Sequence, residues 1–177
     1  DRARSFGRVF YRLPWLLVTV AGELAVALVL TSFIGQIERV IALALFIPIV
    51  SATAGSVGIQ SLAASLTATA QGIPAQRATV AVIRETRSGL VLGVVSGVIA
   101  GGLATLWKSD VMLGVVIASS MAVSLTVAAL LGASVPTVLA KIRVDPAIAS
   151  GPLITTLNDA VSLSIYLAVA GWLLAGA

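Results

Sequence analysis

Residues 144–166, VDPAIASGPLITTLNDAVSLSIY, decide the fold. They form an apolar run that nevertheless carries a carboxylate, Asp159, together with Thr155, Thr156, Asn158 and a Gly151-Pro152 pair. An ionised Asp at the centre of a bilayer costs about 2.5–3.5 kcal/mol on insertion scales, so it needs a cation, a proton or water beside it. The rest of the chain is read as the packaging around that group.

The composition places this run in a membrane. Of 177 residues 59% are hydrophobic and 10% charged, with a mean hydropathy of +1.10, where an ordinary soluble domain has about 25% charged residues. Outer-membrane strands would appear as segments of about 10 residues with period-2 alternation, and none is present. Stretches of about 20 apolar residues mark helical spans. Five can be drawn, at about 13–35, 40–68, 86–107, 111–138 and 148–175, so the expected fold is an all-α polytopic membrane protein with a five-helix unit over 13–177 and a juxtamembrane segment over 1–12. Pro14 suits a first helical turn, where its missing N–H is not needed.

Charge gives the orientation. With the N-terminus inside, nine of the eleven Lys and Arg residues fall on that side, and only Arg39 and Lys108 fall opposite, which is the asymmetry expected of cytosolic loops. An odd number of spans then leaves the C-terminus outside, in a plasma (inner) membrane. Trp107 and Trp172 would lie at the outer interface, Tyr11 and Trp15 at the inner one. The net charge of +4 is thereby explained by topology, and no nucleic-acid partner is expected. The chain opens at Asp1 in a polar run without a signal peptide pattern, and reads as part of something longer.

Cysteine and histidine are both absent, which excludes disulfides and imidazole or thiolate metal sites. Any metal must be held by oxygen. A serine protease would lack its His base, and an aspartyl protease needs two acids meeting in one site, so no enzyme is expected and no organic cofactor is implied. In span three, Gly89, Gly93, Gly97 and Gly101 recur every four residues and make a bare face for close helix packing.

Two acids lie inside the spans, Glu23 and Asp159, and no Lys or Arg lies deep enough to pair with them. Gly151, Thr155, Asp159, Ser162 and Tyr166 share one helical stripe, so Asp159 stands on a small, polar face. Pro152 cannot donate to the helix ladder and leaves carbonyl oxygens free for a hard cation. Span two offers a second lining, with Ser51, Gly55 and Gly58 near one face and Ser56 beside it. Glu23 is left with several roles: a structural and protonated acid, a carrier of a proton in a coupled transporter, or a group facing the same path. One Asp159 is few ligands, whereas a twofold homodimer supplies two. Two carboxylates about 8 Å apart repel by roughly 2 kcal/mol at an effective dielectric of 20, which a divalent cation between them reverses. Mg²⁺ keeps several of its waters and needs few direct ligands, while Ca²⁺ takes six to eight oxygens, so hydrated Mg²⁺ ranks first.

Residues 48–61, PIVSATAGSVGIQS, and 145–159, DPAIASGPLITTLND, resemble the two signature regions in the transmembrane domain of the MgtE family of magnesium channels. The Arg84-Glu85 pair opening span three matches as well. The resemblance implies five helices per subunit, a cytosolic N-terminus, and a homodimer whose pore is lined by the second and fifth spans. It also implies passive conduction of hydrated Mg²⁺ at Asp159, with water-mediated help from Thr155 and Gly151. The family's Gly-Asn-x-Gly-x-Gln pattern reads here as Gly55-Ser56-Val57-Gly58-Ile59-Gln60, and Gly151 stands where a side chain is often found. Family members usually carry cytosolic regulatory domains before the membrane part. The rival reading is a proton- or sodium-coupled divalent cation transporter that uses Glu23 and Asp159.

Overall fold

In lipid no water is at hand for backbone N–H and C=O groups, so each apolar stretch closes its hydrogen bonds within itself as a helix. The computed structural model describes residues 2–39, 41–71, 75–141 and 146–175. They form α1 (Arg2–Thr31), α2 (Ile34–Arg39), α3 (Ala42–Ala70), α4 (Ala75–Lys108), α5 (Val111–Lys141) and α6 (Pro146–Ala175). Among the described residues five stretches are long and apolar enough to cross a membrane: Leu13–Thr31, Ala42–Ala68, Thr79–Lys108, Val111–Leu139 and Leu153–Leu174.

Three local expectations are corrected. The first span stops at Thr31, because the Ser32 and Phe33 amides donate back three residues, to Val29 and Leu30 carbonyls at 3.0 Å, and tighten the last turn. A separate six-residue helix, α2, then leads to α3. Pro14 does not open a helix but lies inside α1. The carbonyl it cannot bond, four residues back, is of the kind that membrane helices tolerate when neighbours or water satisfy it. The helix of the third span, α4, starts well before residue 86, so the polar segment around Arg84 and Glu85 is carried within it.

The centre of the bundle is α5, which packs against α3, α4 and α6, while α1 leans on α6. Leu43, Phe46, Val50, Met121, Leu125, Tyr166 and Leu167 form its buried core. Tyr166 is fully buried, and its hydroxyl donates to the Leu43 carbonyl at 3.0 Å. The four glycines of the four-residue repeat in α4 are all buried against α5. A Cβ on Gly89 would come 2.5 Å from the Ala129 Cβ, one on Gly93 2.9 Å from the Ala122 Cα, and one on Gly97 2.5 Å from the Ala118 carbonyl oxygen. Backbone therefore meets backbone along the whole seam, which is how helices gain dispersion contact where lipid removes the hydrophobic drive. The hydroxyls of α5 mostly bond back four residues, Ser120 to Val116 at 2.6 Å and Thr126 to Ala122 at 2.6 Å. Ser124 instead reaches across to the Ser162 carbonyl of α6 at 3.3 Å.

Candidate cation site

The two intramembrane acids, 136 residues apart in the chain, meet. The Glu23 carboxyl of α1 lies within hydrogen-bonding reach of the Asp159 carboxyl of α6. The Ser51 hydroxyl of α3 donates to Asp159 Oδ1. The approach of α1 depends on its neighbouring glycine. A Cβ on Gly22 would come 3.0 Å from Thr156 Oγ1, so only a bare position lets α1 lie against α6 one turn before Asp159. Glu23, the next residue, is then delivered to the carboxylate. Two carboxyl groups from the first and last helices, and a hydroxyl from α3, thus converge on one point of the bundle.

The antiparallel pairing of α3 with α6 places the remaining candidates. Leu43 meets Tyr166 and Ser51 meets Asp159. Stepping four residues along each helix, a rise of about 6 Å, brings Gly55 to the level of Thr155. The Thr155 hydroxyl donates to the Gly151 carbonyl at 3.3 Å. Apart from the nearby backbone of their own helices, no heavy atom lies within 4 Å of where a Cβ would stand on Gly55 or on Gly151. This is the open, small-residue side of the junction. Ser56 is exposed and bonds back to the Ala52 carbonyl at 2.8 Å. The Pro152 side chain lies outside the described residues.

Gly58 and Ser162, the other two lining candidates, have their surroundings within the single subunit. Both are buried inside the subunit. Ser162 is wedged between α5 and α6, its hydroxyl donating to the Asp159 carbonyl at 3.4 Å. Gly58 is covered by Asn158, whose Cγ would lie 2.9 Å from an added Cβ. Small residues at helical spacing mark positions of close approach, and here what approaches is the subunit's own α5 and α6. Asn158 carries no expected role in the pattern of the sequence. It is 1% exposed, and both its Oδ1 and its Nδ2 lack a hydrogen-bond partner. Its sequence signal is an amide directly beside the intramembrane acid.

The structure is that of an all-helical polytopic membrane protein in which two carboxyl groups and a hydroxyl meet at the junction of three spans. The family model for MgtE, described as a divalent cation transporter, matches residues 47–169, and the chain belongs to that family. Three relatives, each named as a magnesium transporter MgtE, are similar to it. The one from Bacillus subtilis is 37% identical over 168 residues, 94% of this chain and 37% of the relative. Those from Enterococcus faecalis and Thermus thermophilus are 34% identical over 160 residues and 32% over 164, covering 90% and 92% of this chain and 35% and 36% of the relatives. The chain thus spans little more than a third of the length of the curated relatives it matches. The meeting of two acids is the geometry an intramembrane aspartyl protease would require, but the family is one of transporters.

Proposed function

We propose that this chain is the pore-forming part of a magnesium transport protein, conducting hydrated Mg²⁺ passively through a homodimer lined by α3 and α6. The observation that carries the reading is Asp159, an acid deep in an apolar helix, held by Ser51 of α3 and faced by Glu23 of α1. The names of the three similar proteins supply the ion. Asp159 is the ion site, Thr155 and Gly151 support the ion's water shell toward the open side, and Ser51, Gly55 and Ser56 line the same path. Gly58 and Ser162 fix the distance between the lining helices from behind, and Pro152 keeps its place in the lining. The N-terminus and the segment 1–12 face the cytosol of a plasma (inner) membrane, where cytosolic regulatory domains are the expected partners. No organic cofactor takes part.

The physical logic is economical. A hydrated divalent ion needs charge at a distance rather than six direct oxygens, and one subunit supplies two carboxyls and a hydroxyl. The junction also gives the coupled-transporter reading a specific support, since two carboxyl groups from different helices meet there. Reconstitution of the dimer into liposomes separates the two. Mg²⁺ entry that follows membrane potential with pH and sodium gradients abolished is expected of the channel, and loss of entry under those conditions would favour coupling. Replacing the acid in Asp159→Asn keeps its shape and removes its charge. Losing a charged hydrogen-bonding partner worth about 1.5–3 kcal/mol, the variant is expected to conduct tenfold to a hundredfold less, and unchanged conduction would sink the proposal.

A further inference from the structure

On the flank of the bundle away from Asp159 runs a second feature that ion conduction does not use. Phe46 and Ile49 of α3, Ala100, Leu103 and Trp107 of α4, and Met121 of α5 line an apolar groove of about 450 Å³. At 100° per residue, Phe46, Ile49 and Thr53 lie within about 40° of the point on α3 directly opposite Ser51. The groove therefore opens on the side of α3 away from Ser51 and the ion site. Its floor is buried, with Phe46 3% and Met121 1% exposed, and its rim is exposed, with Leu103 at 62% and Trp107 at 67%.

The groove has a direction and a charged end. Ser96 and Trp107 lie eleven steps apart on α4, about 16 Å at 1.5 Å per residue, and half of a hydrocarbon core of about 30 Å is about 15 Å. It is one leaflet long. At its mouth the Trp107 ring packs edge-on against Phe46 at 6.0 Å between centroids. The Lys108 ammonium stands 4.7 Å over the same Trp107 ring. Among the described residues no carboxylate pairs with it, and Asp110, two residues on, has one oxygen taken by the Leu113 amide at 3.1 Å. A Trp belongs at the headgroup level, so the unpaired cation sits where a lipid phosphate would be.

We propose that this groove is a phospholipid site, which seats one acyl chain between α3 and α4 and pairs an anionic headgroup with Lys108. The chemistry is that of a two-part ligand, an apolar chain of leaflet length joined to a negative phosphate at the interface. The inference stands apart from the Mg²⁺ reading, since it uses none of the residues of the ion site.

Native mass spectrometry of the purified chain in detergent tests it, with phosphatidylglycerol, phosphatidylcholine and glycerol 3-phosphate as probes. Phosphatidylglycerol is expected to be retained over phosphatidylcholine by about fivefold, the advantage one basic residue gives an anionic surface. The tail-less glycerol 3-phosphate is expected not to be retained. Lys108→Gln, on an exposed side chain, should abolish the preference while both lipids still bind. Ala100→Trp, which fills the groove, should release both lipids. Retained preference in Lys108→Gln overturns the proposal whether or not Ala100→Trp folds. So does lipid retention undiminished in a folded Ala100→Trp, or a dimer that this variant splits, which would make the groove a subunit interface.

Discussion

The α4–α5 seam and the α1–α3–α6 junction are built from the same small residues and do opposite things with them. Along the seam every glycine of the four-residue repeat is covered, and an added Cβ on Gly97 would strike the Ala118 backbone at 2.5 Å. At the junction Gly22 and Gly58 are covered, but Gly55 and Gly151 look into open space, and the polar groups between them are two carboxyls and several hydroxyls. The seam gives a closed wall whose energy is dispersion contact. The junction gives a place where charge is concentrated and the helices are left apart. What distinguishes them is the element that comes opposite, since α5 is itself small-residued where it meets α4, with Gly114, Ala118 and Ala122 in the contact.

The sharpest way to break that contrast is to load both regions with side chains. In the seam, Gly97→Val must push two backbones apart, and overpacking of this kind costs about 1–3 kcal/mol and occasionally more. Its unfolding in detergent is expected to shift by about 3 kcal/mol, the largest stability effect anticipated for the bundle. Gly102, one residue from the repeat, has no heavy atom within 4 Å of an added Cβ, and Gly102→Ala should leave the protein as stable or up to about 1 kcal/mol more stable. Equal losses in the two variants would mean that the seam is no tighter than the lipid-facing surface.

A second test concerns the junction's charge. Glu23→Gln preserves the size and most hydrogen-bonding capacity of the side chain while leaving Asp159 as the only acid at that level among the described residues. If the two carboxyls act together on the ion, Mg²⁺ entry in liposomes is expected to fall about tenfold, the equivalent of about 1.4 kcal/mol. Wild-type entry with a changed unfolding midpoint would instead assign Glu23 to holding α1 against α6.

The contrast also explains how much could be read without coordinates. The spans were legible, because their length and apolarity are dictated by the bilayer, and so was the seam, because four glycines at one spacing leave a single face bare. The acids were legible as exceptions within apolar runs. Their meeting was not. α1 touches α6 through a contact between the first and last helices, and nothing in the pattern of either points at the other until Gly22 is seen lying on Thr156. The roles of Gly55 and Gly58 were likewise beyond the pattern. Small and apolar residues surround α3 on every side, so periodicity cannot say which face is covered, and two glycines three residues apart looked alike. Asn158 escaped for the same reason, since an amide beside an acid does not announce that it will be sealed under a glycine with no partner.

Those two glycines provide the finest test. In Gly58→Ala the new methyl must displace the Asn158 amide, whose Cγ would be 2.9 Å away, and the already unpartnered amide has no bond to lose but must move within a closed interface, so a loss of stability is expected. In Gly55→Ala the methyl enters open space, and replacing a helical glycine should stabilise the subunit by about 0.5–1 kcal/mol. Stability and transport are therefore expected to part company at Gly55. The variant should unfold later and yet pass less Mg²⁺, because the methyl stands at the level of Thr155, one turn from Asp159 on the open side. A Gly55→Ala protein that is more stable and conducts as before would show that this face of α3 looks onto lipid, and the ion's path would have to be sought on the other side of Asp159.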